Sequence, residues 1–151
     1  MTTRREFLVA GLAGGILGSG SAGAQTAPAP MQEAIRRVVG SSSVRPGRVK
    51  LDVPPLLDNG NAVPLAVSVE SPMTSADHVK AIHVFAEKNP LPHVLSVFLG
   101  PRSARASFST RVRIADSGAV TAIAQMSDGS LWSDSVKVVV TLSACLEEGL
   151  I

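Results

Sequence analysis

Hydrophobic and polar positions along this 151-residue chain change their period once. Met31, Ile35, Val38 and Val39 fall at the three-and-four spacing of one helical face, and Gly40 with Ser41–Ser43 stops them. This predicts a short amphipathic helix lying against the body. From Lys50 onward the period is two. Lys50 to Val53 begins the first predicted strand, ended by Pro54 and Pro55. Asp58-Asn59-Gly60-Asn61 reads as a turn, Ala62 to Glu70 as a Val-rich strand, and Ser71-Pro72-Met73 as its break. Val79 to Ala86 is apolar on both faces, as a central strand should be. Glu87 to Pro92 is a loop, and Val94 to Leu99 a strand that Gly100-Pro101 ends.

The clearest alternation runs from Arg105 to Ile114. Ala106, Phe108, Thr110, Val112 and Ile114 point one way, and Arg105, Ser107, Ser109, Arg111 and Arg113 the other. Asp116-Ser117-Gly118 turns the chain into Ala119 to Met126, and Ser127-Asp128-Gly129 turns it again. Leu131 to Leu142 is the last strand. About seven short strands with glycine, proline and Asx turns between them predict an all-β fold. The expected architecture is an immunoglobulin-like antiparallel β-sandwich with a short N-terminal helix and an extended C-terminal cysteine arm. No cysteine pair marks the topology, which stays open.

The first residues change the picture of location. Arg4 and Arg5 precede Phe7-Leu8, the weakly apolar run Val9 to Leu17, and the small residues Ala22 and Ala24. A positive start, a short apolar segment and a small-residue cleavage point are the parts of an export signal. The paired arginines resemble the twin-arginine type, used by proteins that cross the membrane already folded. The apolar run is too short and soft for an anchor. The expected layout is a signal at 1–24, linker and short helix at 25–47, sandwich at 48–142 and arm at 143–151, with the mature chain in the periplasm.

Composition then excludes function classes. Of 14 basic and 12 acidic residues, the signal holds Arg4, Arg5 and Glu6, which leaves 12 against 11, a balance of +1. No basic block with interleaved aromatics suggests nucleic acid. With four Phe, one Trp and no Tyr, the core must be aliphatic, and an aromatic cleft for bases or sugars is not expected. After signal cleavage no membrane contact is expected either.

The single cysteine, Cys145, stands seven positions from the end, itself included, just after the β-branched run Val138-Val139-Val140. One cysteine in an exported chain makes no internal disulfide; it points to intermolecular pairing or a free reactive thiol. Chain ends are the least tied-down part of a domain, so a thiol there can reach outward as a core thiol cannot.

Several stretches carry a family resemblance: Val63-Pro-Leu-Ala-Val-Ser-Val-Glu-Ser-Pro-Met73, Val79-Lys-Ala-Ile-His-Val-Phe-Ala-Glu-Lys-Asn-Pro90, Ser109-Thr-Arg-Val-Arg113 and Met126-Ser-Asp-Gly-Ser130. They resemble the framework of the SoxY family, carrier subunits of the SoxYZ complex in bacterial thiosulfate oxidation, over the chain from Met31 onward. The resemblance implies an immunoglobulin-like sandwich, a heterodimer with a SoxZ-like chain, and a C-terminal arm whose cysteine holds sulfur intermediates while separate enzymes visit it. Cys145 maps onto that carrier cysteine.

The arm departs from the family's Gly-Gly-Cys-Gly-Gly ending. Ser143, Ala144, Leu146, Glu147 and Glu148 flank Cys145, which is similar to a SoxY-related subgroup with an Ala-Ala-Cys-Ile-Glu type of arm. Side chains in place of glycines restrict the backbone angles beside the sulfur. Glu147, Glu148 and the terminal carboxylate of Ile151 put like charge near the thiol, which disfavours the thiolate. Thiosulfate as cargo is therefore left open, and a less anionic cargo or a cationic partner surface is expected.

Other candidates are weaker. His78 and His83 are five apart, so on one strand they face opposite sides, and with His93 they find no completing carboxylate or cysteine at ligand spacing. No metal or other cofactor is expected. Arg105, Arg111 and Arg113 form a stripe read either as a wet strand face or as a docking surface. No nucleophile–base pair, phosphate loop or Cys-X-X-Cys appears, so a non-catalytic carrier is expected. The alternative is an exported interaction module whose cysteine is inert or forms an intermolecular disulfide; a sulfur-transfer or redox enzyme is the least favoured.

Overall fold

A computed structural model describes residues 30–142. The sequence-predicted helix is present as α1, Pro30–Val39. Proline opens it, where a missing N–H costs nothing, and Gly40 ends it at φ 79°, its N–H reaching Arg36 O at 2.9 Å. Met31 is buried, and Ala34, Ile35, Val38 and Val39 pack with it over Phe85, Ile123 and Leu131. The helix thus lies on the outer face of a sheet, as its apolar stripe requires.

Nine strands follow among the described residues: β1 Val44–Pro46, β2 Val49–Asp52, β3 Leu56–Asn59, β4 Val63–Val69, β5 Val79–Ala86, β6 His93–Phe98, β7 Ser107–Val112, β8 Gly118–Met126 and β9 Leu131–Leu142. One sheet runs β1-β9-β8-β5-β6 with β3 also on β9; the other runs β2-β4-β7. The two face each other across an aliphatic core of residues such as Leu65, Val67, Ile82, Val84, Val120 and Val138. No aromatic is among the buried members of that core, as the composition required. This is the expected immunoglobulin-like sandwich.

Two details refine the sequence reading. The sheets are antiparallel in their main pairings, but β1 and β3 both lie parallel to β9, at Leu131–Ser133 and at Val139–Leu142. The chain crosses between sheets at each step from β1 to β4. Gly47 at φ 115° and Arg48 at φ 57° make the first corner, and Pro54-Pro55 follow β2 at the second. β1 and β3, of three and four residues, were not seen as strands, and β1 falls inside the stretch read as linker and helix. Asp58 and Asn59, read as turn, belong to β3; the reversal is at 60–62, where Asn61 N–H donates to Asn59 Oδ1 at 2.8 Å. Thr110, assigned to the core face, is exposed, because β7 is the edge of the smaller sheet.

Candidate functional site

Cys145, Ser143, Ala144, Leu146, Glu147 and Glu148 lie outside the described residues. What the structure describes is the stem they leave from. β9 ends at Leu142, and its last residues are held from two sides. On one, Val139 and Val140 pair with Leu56 and Leu57 of β3, and Val139 N–H donates to Pro55 O at 2.8 Å. Thr141 Oγ1 donates to the carbonyls of Leu57 and Asp58 at 3.3 and 3.1 Å. On the other, Val140 N–H donates to Ser117 Oγ at 2.8 Å while that hydroxyl returns to Val140 O at 3.4 Å. Val138 and Val140 insert into the core between these contacts.

The consequence is a stem with a fixed direction. From Leu142 an extended chain covers about 10 Å to residue 145, at roughly 3.3–3.6 Å per residue. Leu56 and Val139, paired on β3 and β9, leave 63% and 51% of their surfaces exposed, so an apolar step sits at the foot of the arm.

Charges near the stem are mixed. Ala119 N–H donates to Glu87 Oε2 at 2.9 Å, and Ala119 pairs with Lys137 on β9. The Ala119 hydrogen bond first, and then Lys88 and Lys137, hold the Glu87 carboxyl below its ordinary pKa. Glu87 stays ionised, with Lys88 Nζ 3.7 Å from its Oε1.

The three histidines divide. His78 is fixed in its own loop, with Nδ1 3.0 Å from Thr74 O. His83 and His93 come together, which their spacing did not suggest. His83 Nδ1 is 2.6 Å from Ser96 Oγ and His93 Nε2 is 2.9 Å from the same atom, with ring centroids 6.1 Å apart. Burial first, and then His93, lower the pKa of His83. Ser96 was not singled out from the sequence; only the pairing of His83 with Ser96 across β5 and β6 reveals it. Among the described residues no three His, Cys, Asp or Glu side chains come together as a metal group. No helix there is long and apolar enough to cross a membrane. Two shallow concavities, about 480 Å³ between α1 and Leu91–His93 and about 350 Å³ on the outer face of β2-β4-β7, carry no catalytic constellation.

Comparison with known proteins shows the family. The model of the family described as sulfur oxidation protein SoxY matches residues 35–145. The chain belongs to the SoxY family. A solved SoxY, titled a sulfur carrier protein, from Chlorobium limicola f thiosulfatophilum shares 25% identity over 75% of this chain and 97% of its own, with a TM-score of 0.63. The SoxY match ends on the cysteine itself. Superoxide reductases share the fold at lower identity. The superoxide reductase (neelaredoxin) of Ignicoccus hospitalis is 20% identical over 62% of this chain and 80% of its own, at TM-score 0.55. A putative one from Thermotoga maritima is 20% identical over 69% and 90%, at 0.54. No curated protein matches.

Proposed function

We propose that this SoxY-family chain is a periplasmic carrier subunit that holds a sulfur intermediate covalently on Cys145 and presents it to partner enzymes, in complex with a SoxZ-like subunit. The observation that carries the reading is the family match running through the sandwich to Cys145. The stem held by β3 and Ser117 supports it, because a short arm delivers its thiol reproducibly only from a fixed root. The twin-arginine-like start supports export in the folded state.

The chemistry asks one thing of Cys145. Its thiolate attacks a terminal sulfane sulfur of a polysulfide; a new S–S bond forms, the old one breaks, and the shortened polysulfide leaves with the electron pair. The product is a Cys145 persulfide, and no outside oxidant is consumed. Glu147 and Glu148 oppose both the thiolate and an anionic adduct, so this arm, which resembles the Ala-Ala-Cys-Ile-Glu type, favours cargo of low negative charge.

The test is loading. Reduced mature protein treated with polysulfide gains reductant-labile sulfur mass on its C-terminal peptide, and Cys145→Ser gains none. Glu147→Gln with Glu148→Gln loads faster. A wild-type chain that stays bare under these conditions overturns the carrier role; loading that the two Glu changes leave unaltered overturns the charge argument.

A further inference from the structure

β6 and β7 are the last strands of their sheets, on the same flank of the sandwich. β2, at the far edge of the smaller sheet, packs across β9 and β8, which sets β7 on the side of β5 and β6. One edge of β6 pairs with β5 and one edge of β7 with β4; among the described residues no strand meets the other edges.

On this flank β6 itself lacks the charges and prolines that blunt open edges. Edge strands are blunted by charges, prolines or a covering element. Within His93–Phe98 there is neither a proline nor a Lys, Arg, Asp or Glu, while Val94, Leu95 and Val97 are only partly buried and Phe98 is 77% exposed. Leu91, just before the strand, is 79% exposed. The charge this stretch of chain itself carries is one-signed, with Glu33 of α1 bordering the concavity beside Leu91–His93. From Asn89 to Ala115 there is no Asp or Glu, and there are four arginines, Arg102, Arg105, Arg111 and Arg113. Arg102, Arg105 and Arg111 are exposed, and none pairs with a carboxylate among the described residues.

We propose that this flank is the seat of the second subunit, an acidic protein chain that adds a strand to β6, covers Phe98 and Leu91, and meets Arg102, Arg105 and Arg111 with carboxylates. Open backbone donors and acceptors call for a peptide strand, which neither a lipid surface nor a nucleic acid supplies. A second copy of this chain is disfavoured, because pairing flank to flank sets arginine against arginine. The proposal rests on the carrier reading only for the partner's identity, and it places that partner at β6, three strands along the sheet from β9, the stem that leads to Cys145.

The test is co-expression with a SoxZ subunit, followed by size-exclusion chromatography, titration and hydrogen exchange. The complex should protect the amides of Val94–Phe98 and weaken with salt. Phe98→Ser and the pair Arg105→Glu with Arg111→Glu each lower affinity by about tenfold or more. These side chains are exposed, so circular dichroism confirms that the variants fold, and sulfur loading of Cys145 on the same variants reports separately on the carrier reading. An undiminished complex, protection on another face, or a homodimer through β6 overturns the proposal.

Discussion

His83 sits beneath the edge strand with Nδ1 on Ser96 Oγ, and its surroundings favour the neutral ring. Ser96 has one hydroxyl proton to give, so it can donate to only one of the two rings and accepts an N–H from the other. The lowered pKa has a definite sign for stability. Above the ordinary imidazole value of 6.5 neither folded nor unfolded chain is protonated at this site and its contribution is complete. As pH falls below that value the unfolded state takes up a proton that the folded state refuses, so stability declines until the folded pKa is reached. Urea titrations between pH 8 and 5 should show this loss, and His83→Gln should flatten it. A wild-type stability independent of pH across that window contradicts the reading. The cluster was invisible in the sequence because His83 and His93 lie on different strands and only the β5–β6 register brings both to one hydroxyl.

At the scale of elements, the strands with long uninterrupted alternation were legible. β5 and β9 run where the apolar pattern put them, β4 is shorter by a residue at each end, and β8 begins one residue earlier. β1 and β3 were not, since their meaning lies in what they pair with: they flank β9 at its two ends, and neither has enough residues to show a period. The stem of the arm was half legible. The run Val138-Val139-Val140 announced a strand, but its fastening by Ser117 across 23 residues did not show. Removing that hydroxyl leaves both polar atoms of Val140 without their partner. Ser117→Ala should cost about 1–2 kcal/mol, read from urea unfolding. The amide of Val140 should exchange faster while those of β5 hold. A Ser117→Ala chain as stable as wild type would place the hold on β9 entirely in β3.

The whole molecule is a sandwich with two outward-looking features. One is the stem that ends beside the apolar step of Leu56 and Val139; the other is the open basic flank of β6 and β7. A carrier needs such a division, with one surface to bind a permanent partner and another to offer a group to passing enzymes. The acidic arm beyond the stem and the basic flank also carry opposite charge, so partners suited to one are poorly suited to the other. The lone cysteine, its place near the chain end and the export-type start were all readable residue by residue. The surface proposed for the partner was not, because edge status depends on strand order, and β6 and β7 come to one flank only when two sheets close on one core.

The most direct test of the account is the intact mass of the mature protein taken from its host without reductant, beside the same sample reduced and beside Cys145→Ser. The account predicts a family of species heavier than the bare chain by whole sulfur-containing groups, collapsing to the bare mass on reduction and absent from the variant. A wild-type protein found only as the free thiol or as a disulfide-linked dimer would contradict it.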